Sequence, residues 1–201
     1  MAALVSMLAS LSGPVVVLDL EFTAWEGSHA TGWTRPGEFR EIVQMGAVKL
    51  ASDFSEAASF NRLVRPARNP LLSDYFIALT GITQHRLDAE GDAYLRVLEA
   101  FMTFVGDDSV AIWSNGSDGA VIAENCQMMG SSCPIPTSRF VNLRRPLAEA
   151  LGVDLAAADS GRLLELIGLP VANQRQHDAL DDARAVAATV RHVFVQSSPS
   201  P

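Results

Sequence analysis

Asp19 and Glu21 close the stretch PVVVLDLEF, residues 14–22, with one residue between them. The apolar run 15–18 reads as a buried strand. Strand side chains alternate faces, so both carboxylates point the same way. At a rise of ~3.3 Å per residue they start only about 7 Å apart. Two like charges at the end of a core strand are costly unless something positive lies between them. Asp118 follows the apolar run VAIW, 110–113, through the turn SNGSD, 114–118. That places it near the sheet edge, where ligands of layered α/β folds gather. Taken alone, it is equally an ordinary helix-start aspartate favoured by the helix dipole.

The third acidic group is HDALDDARAVAATV, 177–190. Asp178 caps a helix here, with Asp181 three residues later in a capping-box-like spacing. Ala179, Ala183, Val186, Val190 and Phe194 draw the core face. Asp181 points almost opposite that face, whereas Asp182 lies roughly 80° from its centre, at the boundary of core and solvent. Asp182 is therefore the acid aimed at the rest of the protein. His177 lies just before the helix and close to Asp182. An imidazole beside a metal-binding carboxylate is a candidate general base. Four carboxylates and one histidine, with no cysteine, suit Mg²⁺ or Mn²⁺ rather than zinc. Two such ions about 3.5–4 Å apart can hold the attacking and the leaving oxygen of a phosphoryl displacement.

The elements that must position these groups are legible in outline. The chain has 201 residues, enough for one domain with a core, and 48% hydrophobic against 19% charged residues excludes disorder. Strands are expected at 15–22, 41–50, 60–66, 110–113 and 139–143, the first three as an antiparallel meander. Helices are expected at 73–83, 93–106, 119–130, 144–151, 161–168 and 178–196. Strands first and alternating units later indicate an α/β layered domain with a mixed sheet. Residues 1–13 read as a disordered leader or a short packing helix, 14–196 as a single domain, and 197–201 as a disordered tail. No window reaches the ~18 apolar residues of a membrane span. Cys126 and Cys133 match no zinc spacing and suit a reducing compartment, so a cytoplasmic location is expected. The net charge of −8 opposes nucleic-acid binding, although two divalent cations would halve it. Lys49 is the sole lysine, and Arg144 and Arg145 read as a solvated helix face. Trp25 and Trp113 read as packing residues.

The order Asp19-x-Glu21, Asp118, His177-x-Ala179-x-x-Asp182 resembles the DEDDh branch of 3′–5′ exonucleases. The blocks LDLEFTAWE, EIVQMGAV, LTGIT, WSNGSD and HDALDDAR resemble the Eri-type exoribonuclease group within it, over roughly residues 14–195. The resemblance implies a ribonuclease H-like fold, a mixed five-stranded sheet flanked by helices. It implies two Mg²⁺ or Mn²⁺, with Asp19 bridging both, Glu21 and Asp182 completing the site for the attacking water, and Asp118 serving the second metal. His177 would deprotonate that water. Phe22, Thr23 and Leu79 would cradle the terminal nucleotide. The substrate would be a single-stranded 3′ end, RNA favoured and DNA possible, cut to nucleoside 5′-monophosphates. The competing expectations are a proofreading-type DNA exonuclease and a non-catalytic nucleic-acid-binding module on the same fold.

Overall fold

The computed structural model describes residues 2–9, 13–171 and 176–197. Six strands form one mixed sheet: β1 (Val15–Phe22), β2 (Ile42–Leu50), β3 (Glu56–Arg65), β4 (Asp92–Ala93), β5 (Ala111–Ser114) and β6 (Phe140–Asn142). Their spatial order is β4-β3-β2-β1-β5-β6. The first three are the antiparallel meander that their short connections demand. β5 joins β1, and β6 joins β5, in parallel. The helices are α1 (Ala2–Ala9), α2 (Ser28–Thr31), α3 (Asp74–Thr80), α4 (Gln84–Glu90), α5 (Tyr94–Val105), α6 (Asp118–Met128), α7 (Arg144–Leu151), α8 (Leu163–Leu166) and α9 (Ala179–Ser197).

The period of two along β1 divides the core. Val16, Leu18 and Leu20 face the layer of α5 and α6, among Val97, Phe101 and Ile122. Val15 and Val17 face the layer of α1, α7 and α9, among Leu147, Ala183 and Val186. Asp19 and Glu21 continue this second, odd-numbered face. Opposite them in register stand Gly46 and Gln44 of β2. Gly46 is what lets α9 cross there: a Cβ on it would lie 2.2 Å from the Ala179 carbonyl carbon and the Leu180 nitrogen. The first turn of α9 thus rests on the sheet beside both acids.

The sheet has six strands rather than five. The extra strand is the two-residue Asp92–Ala93, parallel to the end of β3, at the place where the apolar spacing already reads as helix. β3 also begins earlier than expected, at Glu56, because its first four residues are exposed and carry no apolar alternation. Helix α3 ends at Gly81 in the left-handed region (φ 71°), and α4 follows with Thr83 as its cap, its hydroxyl accepting from the Arg86 N–H. The expected helix near 161–168 is a 3₁₀ turn at Ser160–Arg162 followed by the single turn α8. Of the two readings for the first residues, Ala2–Ala9 is helical, with Leu4 and Leu8 buried. Residues 198–201 of the expected tail lie outside the described residues. Among the described residues no helix is long and apolar enough to cross a membrane.

Candidate active site

Asp19, Glu21, Asp118, His177 and Asp182 come from three parts of the chain and line one cavity of about 470 Å³. β1 supplies the first two on one face. The turn after β5 brings in Asp118 as the first residue of α6. The first turn of α9 supplies Asp182, and the residue pair before it includes His177. Glu21, His177 and Asp182 each offer a ligand atom, all within 4.8 Å of one another. The His177 N–H donates to Asp182 Oδ2 at 3.2 Å. His177 has φ 60°, a backbone region unfavourable to residues with a Cβ. Such strain is held in place only where surrounding contacts over-determine it. A larger hollow, about 590 Å³, lies between Phe54 and the last turns of α9 and shares no lining residue with the acidic cavity.

The helix-face argument for α9 holds. Asp178 caps the helix, its Oδ1 accepting from the Leu180 and Asp181 N–H groups. Asp181 faces Arg184 at 3.9 Å. Asp182 is 5% exposed and turned into the cavity. Gln44 clamps this end to the sheet: its amide donates to Asp178 Oδ2 at 3.2 Å and its carbonyl oxygen accepts from the Ala179 N–H at 3.1 Å.

The electrostatics are those of an acid cluster in want of a cation. Burial pushes Asp19 well above the usual carboxylate range, and the charges of Asp118, Glu21, Asp182 and Asp159 push it further. Burial, then Asp182 and Asp178, does the same to Glu21. Burial raises Asp118 to about 6, against the pull of the Ser114 hydroxyl, the backbone amides of Asp118 and Leu20, and the charge of Arg40. Carboxylates held this close in low dielectric resist ionising together. A hard divalent cation removes that conflict, and an all-oxygen donor set with one imidazole fits magnesium or manganese. The residues present therefore fit such an ion.

Phe22 and Leu79 line the cavity, and Thr23 is not among its lining residues. Thr23 is buried, its hydroxyl donates to the Phe39 carbonyl and accepts from the Glu41 N–H, and these bonds tie down the base of the 23–41 loop. Trp25, taken from the sequence as packing, lines the cavity, whereas Trp113 is core, stacked on Phe54. The lining residues that sequence reasoning missed include His29 and Trp33 from the loop, Arg144 from the start of α7, and Asp159. Arg144 is not simply solvated. Its Nε donates to the Leu155 carbonyl at 3.1 Å, and Nη2 lies 3.7 Å from Asp159. Asp159 sits in an irregular segment without periodicity. Asn115 brings that segment in, its Nδ2 donating to Ala158 O and Ser160 Oγ. The one sequence signal was the block WSNGSD, which contains Asn115.

Comparison with known proteins gives concordant matches. A family model described as Exonuclease (RNase_T) matches residues 16–190. The "3'-5' exoribonuclease 1" of Rattus norvegicus is 27% identical over 183 residues, covering 86% of this chain and 50% of the relative. The "DNA polymerase III PolC-type" of Clostridium perfringens is 29% identical over 185 residues, covering 92% of this chain and 11% of the relative. The chain spans about half the length, or less, of the curated relatives it matches. Among solved structures, the nuclease domain of 3'hExo, a DEDDh family member bound to rAMP, superposes with a TM-score of 0.79 at 26% identity, covering 94% of both chains.

Proposed function

Because this chain belongs to the RNase_T exonuclease family and its clustered acids fit a divalent cation, we propose that it is a 3′–5′ exonuclease acting on single-stranded RNA or short oligonucleotides. The observation that carries the reading is the meeting of Asp19, Glu21, Asp118, Asp182 and His177 in one cavity. Asp19, Glu21, Asp118 and Asp182 would hold two Mg²⁺ or Mn²⁺. These ions supply the positive charge that stabilises the attacking and leaving oxygens of the phosphodiester. His177 takes the proton of the attacking water and hands it on to solvent. Phe22 and Leu79 form an apolar wall for the terminal nucleotide, and the 3′ oxygen of the preceding nucleotide leaves. The product is a nucleoside 5′-monophosphate.

The working unit is residues 14–196. The two free cysteines, Cys126 and Cys133, support a reducing compartment such as the cytoplasm. A second reading, trimming of DNA 3′ ends, is favoured by the match to the PolC-type polymerase. The test is a 5′-labelled single-stranded RNA beside the matching DNA, each with Mg²⁺ or Mn²⁺, and Asp19→Ala as control. A ladder shortening from the 3′ end and lost in the variant supports the enzyme, and the ratio of rates chooses the substrate. No cleavage of either by folded protein would sink the proposal.

A further inference from the structure

A second cavity of about 500 Å³ lies beside the acidic one and shares Trp33 with it. Both follow helix α6: Asp118 and Val121 line the first, Glu124 and Gln127 the second. At ~1.5 Å per residue, Asp118 and Gln127 are about 14 Å apart along the axis. A nucleic-acid strand advances at least ~3.4 Å per nucleotide. The second cavity is therefore within about four nucleotides of the acids.

Two arginines face it. The Arg40 guanidinium lies 6.0 Å from the Phe22 ring centre and 5.9 Å from that of Trp33. Its Nε and Nη2 donate to Glu124, which leaves Nη1 with no hydrogen bond among the described residues. Arg68 stacks 4.7 Å over Phe39 and pairs with no carboxylate among the described residues. Stacking on a ring fixes a planar cation while leaving its in-plane donors available, and those donors are the ones that grip phosphate. The two acids on the wall, Glu38 and Glu124, each pair with an arginine, which blunts their repulsion of an anion.

We propose that this cavity holds the nucleic-acid strand upstream of the scissile linkage, with Arg40 and Arg68 on its phosphates and Trp33 as the wall common to both cavities. The proposal rests on the exonuclease reading above and extends it to the strand's path. It gives a chain of net charge −8 a local place to meet a polyanion: two arginines beside glutamates that are themselves ion-paired.

The test compares two substrates. A nucleoside 5′-monophosphate p-nitrophenyl ester carries the terminal nucleotide and no upstream phosphate, whereas a single-stranded RNA hexanucleotide carries both. In Arg68→Gln and in Arg40→Gln, the ratio of kcat/KM for the hexanucleotide to that for the ester falls about tenfold, chiefly through KM. Binding of the hexanucleotide to protein that also carries Asp19→Ala gives a second readout. The slope of log Kd against log salt drops by about 0.7 for each arginine removed, the counterion release of one single-strand phosphate contact. Arg68 is exposed, so its variant keeps the test informative even where Arg40→Gln loosens the loop. A wild-type ratio and a wild-type slope in both variants overturn the proposal while leaving the enzyme standing. Hydrolysis of neither substrate by the wild type instead overturns the exonuclease reading, and the salt slope still decides whether the arginines meet phosphate.

Discussion

Each acid in the cavity would be ordinary by itself. Asp118 is a helix-start aspartate, Asp182 a first-turn residue of α9, and Asp19 and Glu21 the end of a strand. What distinguishes them is mutual proximity in a place where burial already disfavours charge. His177 is set apart by its left-handed backbone and by its contact with Asp182. His177→Ala is expected to lower kcat by ~10²–10⁴-fold, the usual contribution of a general base. A kcat like that of the wild type would remove the histidine from its role. The hydroxyl of Thr23 belongs to the loop. Thr23→Val should therefore act through stability, costing about 1–3 kcal/mol for a buried N–H left unpaired, as read by urea denaturation.

At the scale of elements, the site depends on how closely α9 approaches β2. EIVQMGAV looks like a plain strand, yet three of its residues do distinct jobs. The Glu41 carboxylate accepts from the N–H groups of Ala67, Arg68 and Asn69 and so fixes the loop after β3. Gln44 clamps the N-terminal end of α9. Gly46 makes room for it. Gly46→Ala places a methyl group on backbone that has nowhere to go. Overpacking of this kind costs about 1–3 kcal/mol, and a shift of ~1 Å at the reacting groups can cost 10²-fold in rate. The expected outcome is a folded protein with kcat down about 10²-fold and weakened metal binding. Unaltered kcat in that variant would show that α9 tolerates displacement.

For the whole molecule, metal and stability are linked. Asp118 has a folded pKa of about 6, above its ordinary 3.8, and Asp19 and Glu21 shift in the same direction. An acid raised in the native state holds its proton longer when folded than when unfolded. Its stabilising contribution is complete below the unfolded value and is lost as pH rises through the folded one. Metal-free protein should therefore lose melting temperature between pH 4 and pH 6 and beyond (about the span of these carboxylates). Added Mg²⁺ should restore it at the upper end of that range and do little at the lower end. Thermal melts in EDTA and in Mg²⁺ measure this directly, and identical curves at high pH would contradict a metal site. The first helix contributes to the same whole: Leu4 and Leu8 are buried in the layer of α7 and α9. Leu4→Ala is expected to cost about 2–5 kcal/mol by urea denaturation, with the site's chemistry unchanged.

Local features that follow from residue period and type are legible in the chain alone. The alternation along β1 put Asp19 and Glu21 on one face. The 3.6-residue period of α9 singled out Asp182 over Asp178 and Asp181. The order of the apolar runs gave five of the six strands and the meander. These are short-range consequences of backbone geometry, so they can be read from a few neighbouring residues. The tertiary structure decided what depends on residues far apart in the chain. The strand Asp92–Ala93 exists because the end of β3 offers it a partner, and two residues carry no pattern. Asp159 reaches the cavity because Asn115, over forty residues earlier, holds its segment in place, and Arg144 meets it there from the start of α7. The Thr23 hydroxyl meets Phe39 and Glu41, sixteen and eighteen residues away. Arg40 and Arg68 line one cavity only once the 23–41 loop and the end of β3 are folded side by side. Local periodicity fixes where a side chain points, whereas long-range packing fixes what it meets.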